Sequence, residues 1–193
     1  MTSENEAQFK PRPSNGRAWV VGIASGVLAL FIIPLAIAGG EIPLPLTIFL
    51  LIVAFAATAP LFAVAWYSPL ITYIVGQESI TLSMGRMMHD TIRFEEISRI
   101  ERRPKLSVSL LSAFRFPGLA VFDVDYVDAN RVRMLATSAS KNLLLIDTAT
   151  KRYGITPADE SAFLDAISHR LPDEAEIVES AADREQRGDD VGS

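Results

Sequence analysis

The acidic residues between positions 123 and 130 come nearest to a metal site in this sequence. Asp123, Asp125, Asp128 and Asn130 offer the oxygen ligands that Ca²⁺ prefers. An EF-hand loop starting at Asp123 would need Gly at its sixth position and Glu at its twelfth, but these positions hold Asp128 and Met134. The first two aspartates also alternate with apolar residues, as on the wet face of a half-buried strand. We therefore expect no metal site.

The other chemically capable residues are isolated from one another. His89 and His169 have no companion at a metal-ligand spacing, and Glu95 and Glu96 are neighbours in a turn, where two carboxylates rarely converge on one substrate. The chain has no cysteine, and it contains no Gly-x-Ser-x-Gly, phosphate-loop or His-Glu-x-x-His motif. We therefore expect no catalytic residue, no cofactor and no enzymatic activity.

The segment 102–115 has the ingredients of a membrane-binding surface. Arg102, Arg103, Lys105 and Arg115 flank an uncharged, mostly apolar stretch at 106–114. Basic residues beside exposed apolar ones are typical of contact with an anionic leaflet, so these four are the candidate membrane-contact residues. The alternative, which the sequence favours, is a long connection whose apolar residues complete a core.

Two uncharged, strongly apolar runs decide how the chain is organised. Residues 18–38 and 44–66 each reach the ~20 apolar residues that a helix needs to cross a bilayer. The link between them, at 39–43, is long enough only for a tight reversal. The sequence therefore predicts a transmembrane hairpin at 18–67, preceded by an arm at 1–17.

The charges that flank the hairpin predict its orientation. Lys10, Arg12 and Arg17 precede the first helix, whereas the reversal carries only Glu41. Because flanking Lys and Arg are retained in the cytoplasm, both termini should be cytoplasmic. Three aromatic residues should lie at the inner interface as anchors, namely Trp19, Trp66 and Tyr67. A signal-peptide cleavage site at residues 36–38 is the rival interpretation, and it also leaves the C-terminal domain cytoplasmic.

A stripe of small residues runs along the first helix at a spacing of four. It consists of Ala18, Gly22 and Gly26. We expect it to let the alanine-rich second helix approach closely, although the same spacing would serve a homo-oligomer formed through the transmembrane helices.

The rest of the chain predicts one mainly-β domain at 69–171 and an acidic tail. Eight short candidate strands lie at 71–75, 79–84, 87–93, 97–103, 119–127, 131–137, 143–147 and 152–155. A helix follows, with Thr156 as its expected N-cap and Phe163, Ile167 and Leu171 on its apolar face. The tail at 172–193 carries eight acidic and two basic residues, and we expect it to be disordered. No basic stripe indicates a nucleic-acid partner.

This order of parts resembles the bacterial PH-like (pleckstrin-homology-like) family, in the branch that has an N-terminal membrane hairpin. The resemblance is carried by the segments 92–100 (IRFEEISRI), 131–137 (RVRMLAT), 145–148 (LIDT) and 152–159 (RYGITPAD). It implies a small antiparallel barrel of seven to eight strands, capped by a C-terminal helix.

Together, the predicted hairpin, the lack of catalytic motifs and this resemblance indicate a non-enzymatic module in a bacterial cytoplasmic (inner) membrane. We expect the domain to bind or position a protein partner at the cytoplasmic face. The alternative is a module that contacts anionic lipid, which is weakened because the first hairpin turn, 76–78, offers Glu78 where eukaryotic PH domains have phosphate-binding basic residues. An enzyme with an unrecognised site is the less favoured third possibility.

Overall fold

Two long apolar helices form the N-terminal part of the molecule. The structure is a computed structural model, and it describes residues 6–38, 40–106, 115–127 and 130–178. Helix α1 spans Gly16–Ala38 and helix α2 spans Leu44–Tyr67, and both are long and apolar enough to cross a membrane. Only 11% and 22% of their most apolar windows are buried. These helices therefore differ from the core helices of soluble proteins, which bury most of their surface.

The two helices pack through a face that the small-residue stripe does not include. The buried residues of α1 are Gly16, Val20 and Ala24. A Cβ atom added at Gly22 or Gly26 would meet no atom within 4 Å. The expectation that the stripe packs against the second helix is therefore wrong. The packed face begins two residues earlier, about 200° around the helix, because Gly16 docks on the β-domain and fixes the rotation of α1.

The β-domain consists of two sheets. The first has the order β1-β2-β3-β4, all antiparallel, with β1 Ala7–Phe9, β2 Ile71–Val75, β3 Ser79–Met84 and β4 Met88–Arg93. The second has the order β11-β5-β9-β10-β8-β7-β6. Its strands are β5 Ile97–Lys105, β6 Arg115–Phe116, β7 Leu119–Tyr126, β8 Asn130–Ala136, β9 Lys141–Thr148, β10 Arg152–Ile155 and β11 Glu176–Val178.

All eight strands expected from the sequence are present, and a helix follows them as expected. The described residues form two sheets rather than a closed barrel, and two pairings are parallel. Strand β10 lies between β9 and β8, so it runs antiparallel to β9 and parallel to β8. Strand β11 pairs in parallel with the edge strand β5.

Helix α3, Glu160–Ser168, closes one side of the domain. It buries Phe163 and Ile167 completely. The ring of Phe163 makes edge-to-face contacts with Phe9, at 5.3 Å between ring centroids, and with Tyr73, at 6.4 Å. Leu171 follows the helix rather than ending it and packs on the core only in part.

The N-cap of α3 is not the residue that the sequence predicts. Asp159, not Thr156, is the N-cap, and its side chain accepts a hydrogen bond from the backbone N–H of Ala162 at 2.9 Å. Thr156 is buried, and its hydroxyl accepts the N–H of Thr137 at 2.8 Å. The segment before the helix bonds with the N-terminal arm, since the N–H of Ala158 donates to the carbonyl of Lys10, so the helix begins later.

Both flanking segments contribute strands to the domain, which the expected boundaries at 69 and 171 left out. In the arm, β1 pairs with β2 so that Phe9 lies opposite Tyr73. In the tail, β11 places Glu176 opposite Arg99 of β5. The expectation of disorder is therefore wrong for the first part of the tail, because hydrogen bonding to an edge strand orders it. Residues 179–193 lie outside the described residues.

The domain has two opposite ends, defined by the direction of its strands. The hairpin end lies where α1 begins and α2 ends, and it includes the turns at 85–87 and 117–118. The far end includes the turns at 76–78 and 149–151. Strands β2, β7 and β9 run from the hairpin end to the far end, and β3, β5, β8 and β10 run back.

A shared core joins the hairpin to the domain. Val20 of α1 and Val64 of α2 belong to the same hydrophobic cluster as Ile71 and Leu119 of the sheets. Gly16 approaches the 117–118 turn so closely that a Cβ there would lie 2.1 Å from the carbonyl oxygen of Gly118. No larger residue fits at this contact. The hairpin and the domain are therefore one packed unit.

Candidate functional site

The four candidate membrane-contact residues belong to β5 and β6. Arg102 Nε lies 2.5 Å from Glu160 Oε1, and Arg103 Nε lies 2.8 Å from Glu101 Oε1. Lys105 is exposed at the hairpin end of β5. Arg115 is in β6, and its side chain lies outside the described residues. Carboxylates thus pair with Arg102 and Arg103. Lys105 is exposed, and its ammonium group forms no ion pair with a described residue.

The apolar stretch between these basic residues is described only at its start. Leu106 is buried and packs with Leu143 and Leu145 of β9. For this residue the core interpretation holds. The remaining apolar residues of the segment, at 107–114, lie outside the described residues.

The expected interfacial anchors lie at the domain side of the hairpin. Trp19 and Trp66 are 55% and 72% exposed. Tyr67 instead turns inward, where its ring lies against the turn of Gly85. Gly85 has φ +57°, a conformation that favours glycine, and a Cβ there would lie 2.9 Å from Tyr67 Cδ1.

Glu160 connects three separate parts of the chain at the first turn of α3. Its Oε2 lies 2.8 Å from Arg12 Nη2 in the arm, and its Oε1 contacts Arg102 of β5. Arg12 Nε also donates to the carbonyl of Pro157 at 3.2 Å. The two arginines and the carboxylate hold the arm, α3 and β5 together. Sequence reasoning did not find this cluster, because Arg12 and Glu160 are 148 positions apart.

A cavity of about 310 Å³ lies at the hairpin end, between the arm and the helix termini. Its cationic lining comes from Lys10, Arg12 and Arg17. Hydroxyl groups also line it, those of Ser14, Ser68, Thr72 and Thr137. Among the described residues, none that lines it is acidic. The three cations were visible in the sequence, but only as determinants of orientation.

The acidic residues of β7 are neutralised across the sheet. Asp123 Oδ1 lies 3.5 Å from Arg133 Nη1, and Asp125 Oδ1 lies 3.3 Å from Arg131 Nε. Asp128 lies outside the described residues. In the part of the chain that the structure describes, no group of three or more His, Cys, Asp or Glu residues is placed to hold a metal ion. His89 on β4 and His169 after α3 are both exposed.

The perturbed pKa values belong to groups that stabilise the fold. Burial raises the pKa of Tyr73 to about 12. Its hydroxyl donates to the carbonyl of Leu135 at 2.7 Å and accepts the N–H of Thr156 at 3.3 Å. At the α3 cap, the N–H of Ala162 and the hydroxyl of Ser161 lower the pKa of Asp159. None of these groups lines the cavity at the hairpin end.

The far end carries a second cavity, of about 460 Å³, with mixed charge. It is lined by Glu78, Glu95, Arg93 and Arg170, together with Gln77 and Phe94. Arg170 Nη1 donates to the carbonyl of Gly76 at 2.6 Å, and Arg93 pairs with Glu95 at 3.2 Å. This cavity includes part of the 76–78 turn, at the end of the domain away from the hairpin.

The arrangement of two sheets with a closing helix defines a PH-like domain, and a family comparison agrees. The model of the bacterial PH domain family matches residues 71–171, more than half of the chain. The chain therefore belongs to the bacterial PH domain family. No curated protein and no solved structure matches it.

Proposed function

We propose that this protein is a non-enzymatic, membrane-anchored PH-like module that binds or positions a protein partner at the cytoplasmic face of a bacterial membrane. The observation that carries the proposal is the shared core of the hairpin and the domain, in which Val20 and Val64 pack with Ile71 and Leu119. A domain fixed in this way presents one end to the membrane and the other end to the cytoplasm.

The proposed orientation rests on charge. Lys10, Arg12 and Arg17 lie at the domain side of the hairpin, whereas the reversal at the opposite side carries Glu41. The structure also supports retention of α1. Cleavage after residue 38 would remove β1 and the ion pair of Arg12 with Glu160, both of which belong to the domain.

The chemistry of the far end supports a protein partner. This surface combines acidic and basic side chains around the cavity of Glu78, Arg93 and Arg170. A lipid surface or a nucleic acid would instead select a field of one positive sign. The far end also lies away from the hairpin, where a bilayer cannot reach it while α1 and α2 span the membrane.

Site-specific photocrosslinking in native membranes tests the proposal. A photoreactive amino acid at Gln77 should give a discrete protein adduct, and one at Met87, at the hairpin end, should not. Arg93→Glu should weaken the Gln77 adduct, whereas Arg86→Glu, which removes an exposed charge near the hairpin, should leave it unchanged. The proposal fails if Gln77 gives no adduct, or if both arginine variants have the same effect.

Anionic-lipid contact through β5 is the second candidate function, and the direction of that strand favours it. Lys105 lies opposite Lys141 where β5 reaches the hairpin end. If Lys105 faces the headgroups, anionic lipid in a nanodisc should slow its reaction with a water-soluble amine reagent, relative to zwitterionic lipid. Lys151, at the far end, is the internal control. Equal reactivity of Lys105 in both lipids would contradict this candidate.

A further inference from the structure

We propose that the cavity at the hairpin end binds the phosphate group of an anionic phospholipid, with Lys10, Arg12 and Arg17 as its cationic ligands. This site is separate from the candidate contact residues of β5. The proposal rests on the proposed function in one respect, namely that the hairpin spans a membrane.

The shape of the cavity fits a headgroup. Its volume of about 310 Å³ lies within the range of small-molecule sites. Its lining combines the cations and hydroxyl groups with apolar residues, namely Pro11, Pro13, Pro69, Ile71 and Leu119. An anionic phospholipid has this same combination, a charged phosphate close to the apolar start of its acyl chains.

The charge of the cavity favours an anion. Among the described residues, Lys10 and Arg17 form no ion pair, and both are exposed. Arg12 is held from one side by Glu160 at 2.8 Å and by the carbonyl of Pro157, which fix the plane of its guanidinium group. A pre-oriented guanidinium beside two unpaired cations suits a phosphate, because charge-assisted hydrogen bonds to phosphate are strong and directional.

The position of the cavity favours a lipid over a free solute. Arg17 is in the first turn of α1, two residues before Trp19, and Ser68 directly follows α2. If the two helices span a bilayer, both residues lie at the level of the headgroups. A phosphate carried by a lipid would then reach the cavity laterally, from the leaflet itself.

The rival explanation is that these cations act only by general attraction to an anionic surface. General attraction depends on the number of charges, whereas a built site depends on which charges are removed. Two double variants with equal loss of charge at the hairpin end therefore separate the explanations: Lys10→Gln with Arg17→Gln inside the cavity, and Arg86→Gln with Lys141→Gln, both exposed, outside it.

Native mass spectrometry of the full chain in detergent micelles provides the measurement, with phosphatidylglycerol as the titrated probe. The unaltered chain should bind one lipid saturably. Each cation near anionic headgroups contributes about 1 kcal/mol, so the cavity variant should lose about thirtyfold in affinity. The control variant should stay within about twofold of the unaltered chain.

Three outcomes would overturn the proposal. Equal loss in both double variants would leave only general attraction. Competition by inorganic phosphate at the same site, with an affinity equal to that of the lipid, would make the ligand a free phosphate. An absence of saturable binding would remove the site. Since photocrosslinking at Gln77 tests the proposed function separately, a failure of this proposal is distinguishable from a failure of the proposed function.

Discussion

Truncation of Phe163 tests whether α3 is an integral part of the domain. Its side chain is fully buried, and its ring contacts those of Phe9 and Tyr73 edge to face at 5.3 and 6.4 Å between centroids. Replacing a buried phenylalanine by alanine costs about 3–5 kcal/mol. Because two aromatic contacts are lost as well, we expect Phe163→Ala to lower the free energy of unfolding by about 4–5 kcal/mol.

Pulse proteolysis of the full chain in detergent micelles and urea measures this change. With a denaturant slope of about 2 kcal/mol per molar, the midpoint should fall by about 2 M urea. The midpoint of Phe163→Leu, which keeps most of the apolar volume, should fall by less. Val127→Ala is the matched control, because Val127 is 72% exposed and its truncation should change little. If Phe163→Ala behaved like Val127→Ala, α3 would not be docked as described.

Three further predictions use the same assay. Glu160→Gln should lower the free energy of unfolding by about 1–3 kcal/mol, because it leaves two part-buried arginines facing each other; a change as small as that of the exposed-site control would contradict this. Thr156→Val should lower it by about 1–3 kcal/mol, since the part-buried N–H of Thr137 loses its acceptor, and an unchanged midpoint would contradict it. Tyr73 has a folded-state pKa of about 12, above the ordinary value of 10.0, so its contribution is complete below pH ~10 and is lost as the pH rises towards 12, by about 3 kcal/mol in all. Burial also raises the pKa of Tyr153, so the unaltered chain should show a larger alkaline loss of stability than Tyr73→Phe, and equal losses in both would refute the assignment.

The helices and the long strands were predictable because a local sequence pattern indicates each of them. The uncharged runs at 18–38 and 44–66 correspond to helices at Gly16–Ala38 and Leu44–Tyr67. Strand β3 alternates between buried and half-exposed residues along its whole length, as its sequence does. The strand follows the two-residue period of its sequence, and the helices follow the length of an uninterrupted apolar run.

The short strands and the cap of α3 were not predictable in this way. Strands β1 and β11 have three residues each and are ordered by partners that are distant in sequence. The local sequence favours Thr156 as the N-cap. In the structure, Thr156 instead forms hydrogen bonds with Tyr73 and Thr137, and the helix begins at Glu160.

The candidate site was the least predictable part, because it is assembled from distant segments. The cavity brings Lys10 and Arg17 together with Ser68, Leu119 and Thr137. In the sequence, the arm cations indicate only the orientation of a hairpin. Their convergence depends on the packing of Gly16 against Gly118, which no local pattern records.

Cysteine labelling of the intact membrane tests the central claim most directly, that the hairpin spans the membrane with the domain on the cytoplasmic side. The chain contains no cysteine, so single-cysteine variants have no background. We expect a membrane-impermeant maleimide applied to spheroplasts to label Glu41→Cys, in the reversal, at once. It should label Lys151→Cys, at the far end, only after the membrane has been opened. Labelling of Lys151→Cys in sealed spheroplasts, or protection of Glu41→Cys, would contradict the account.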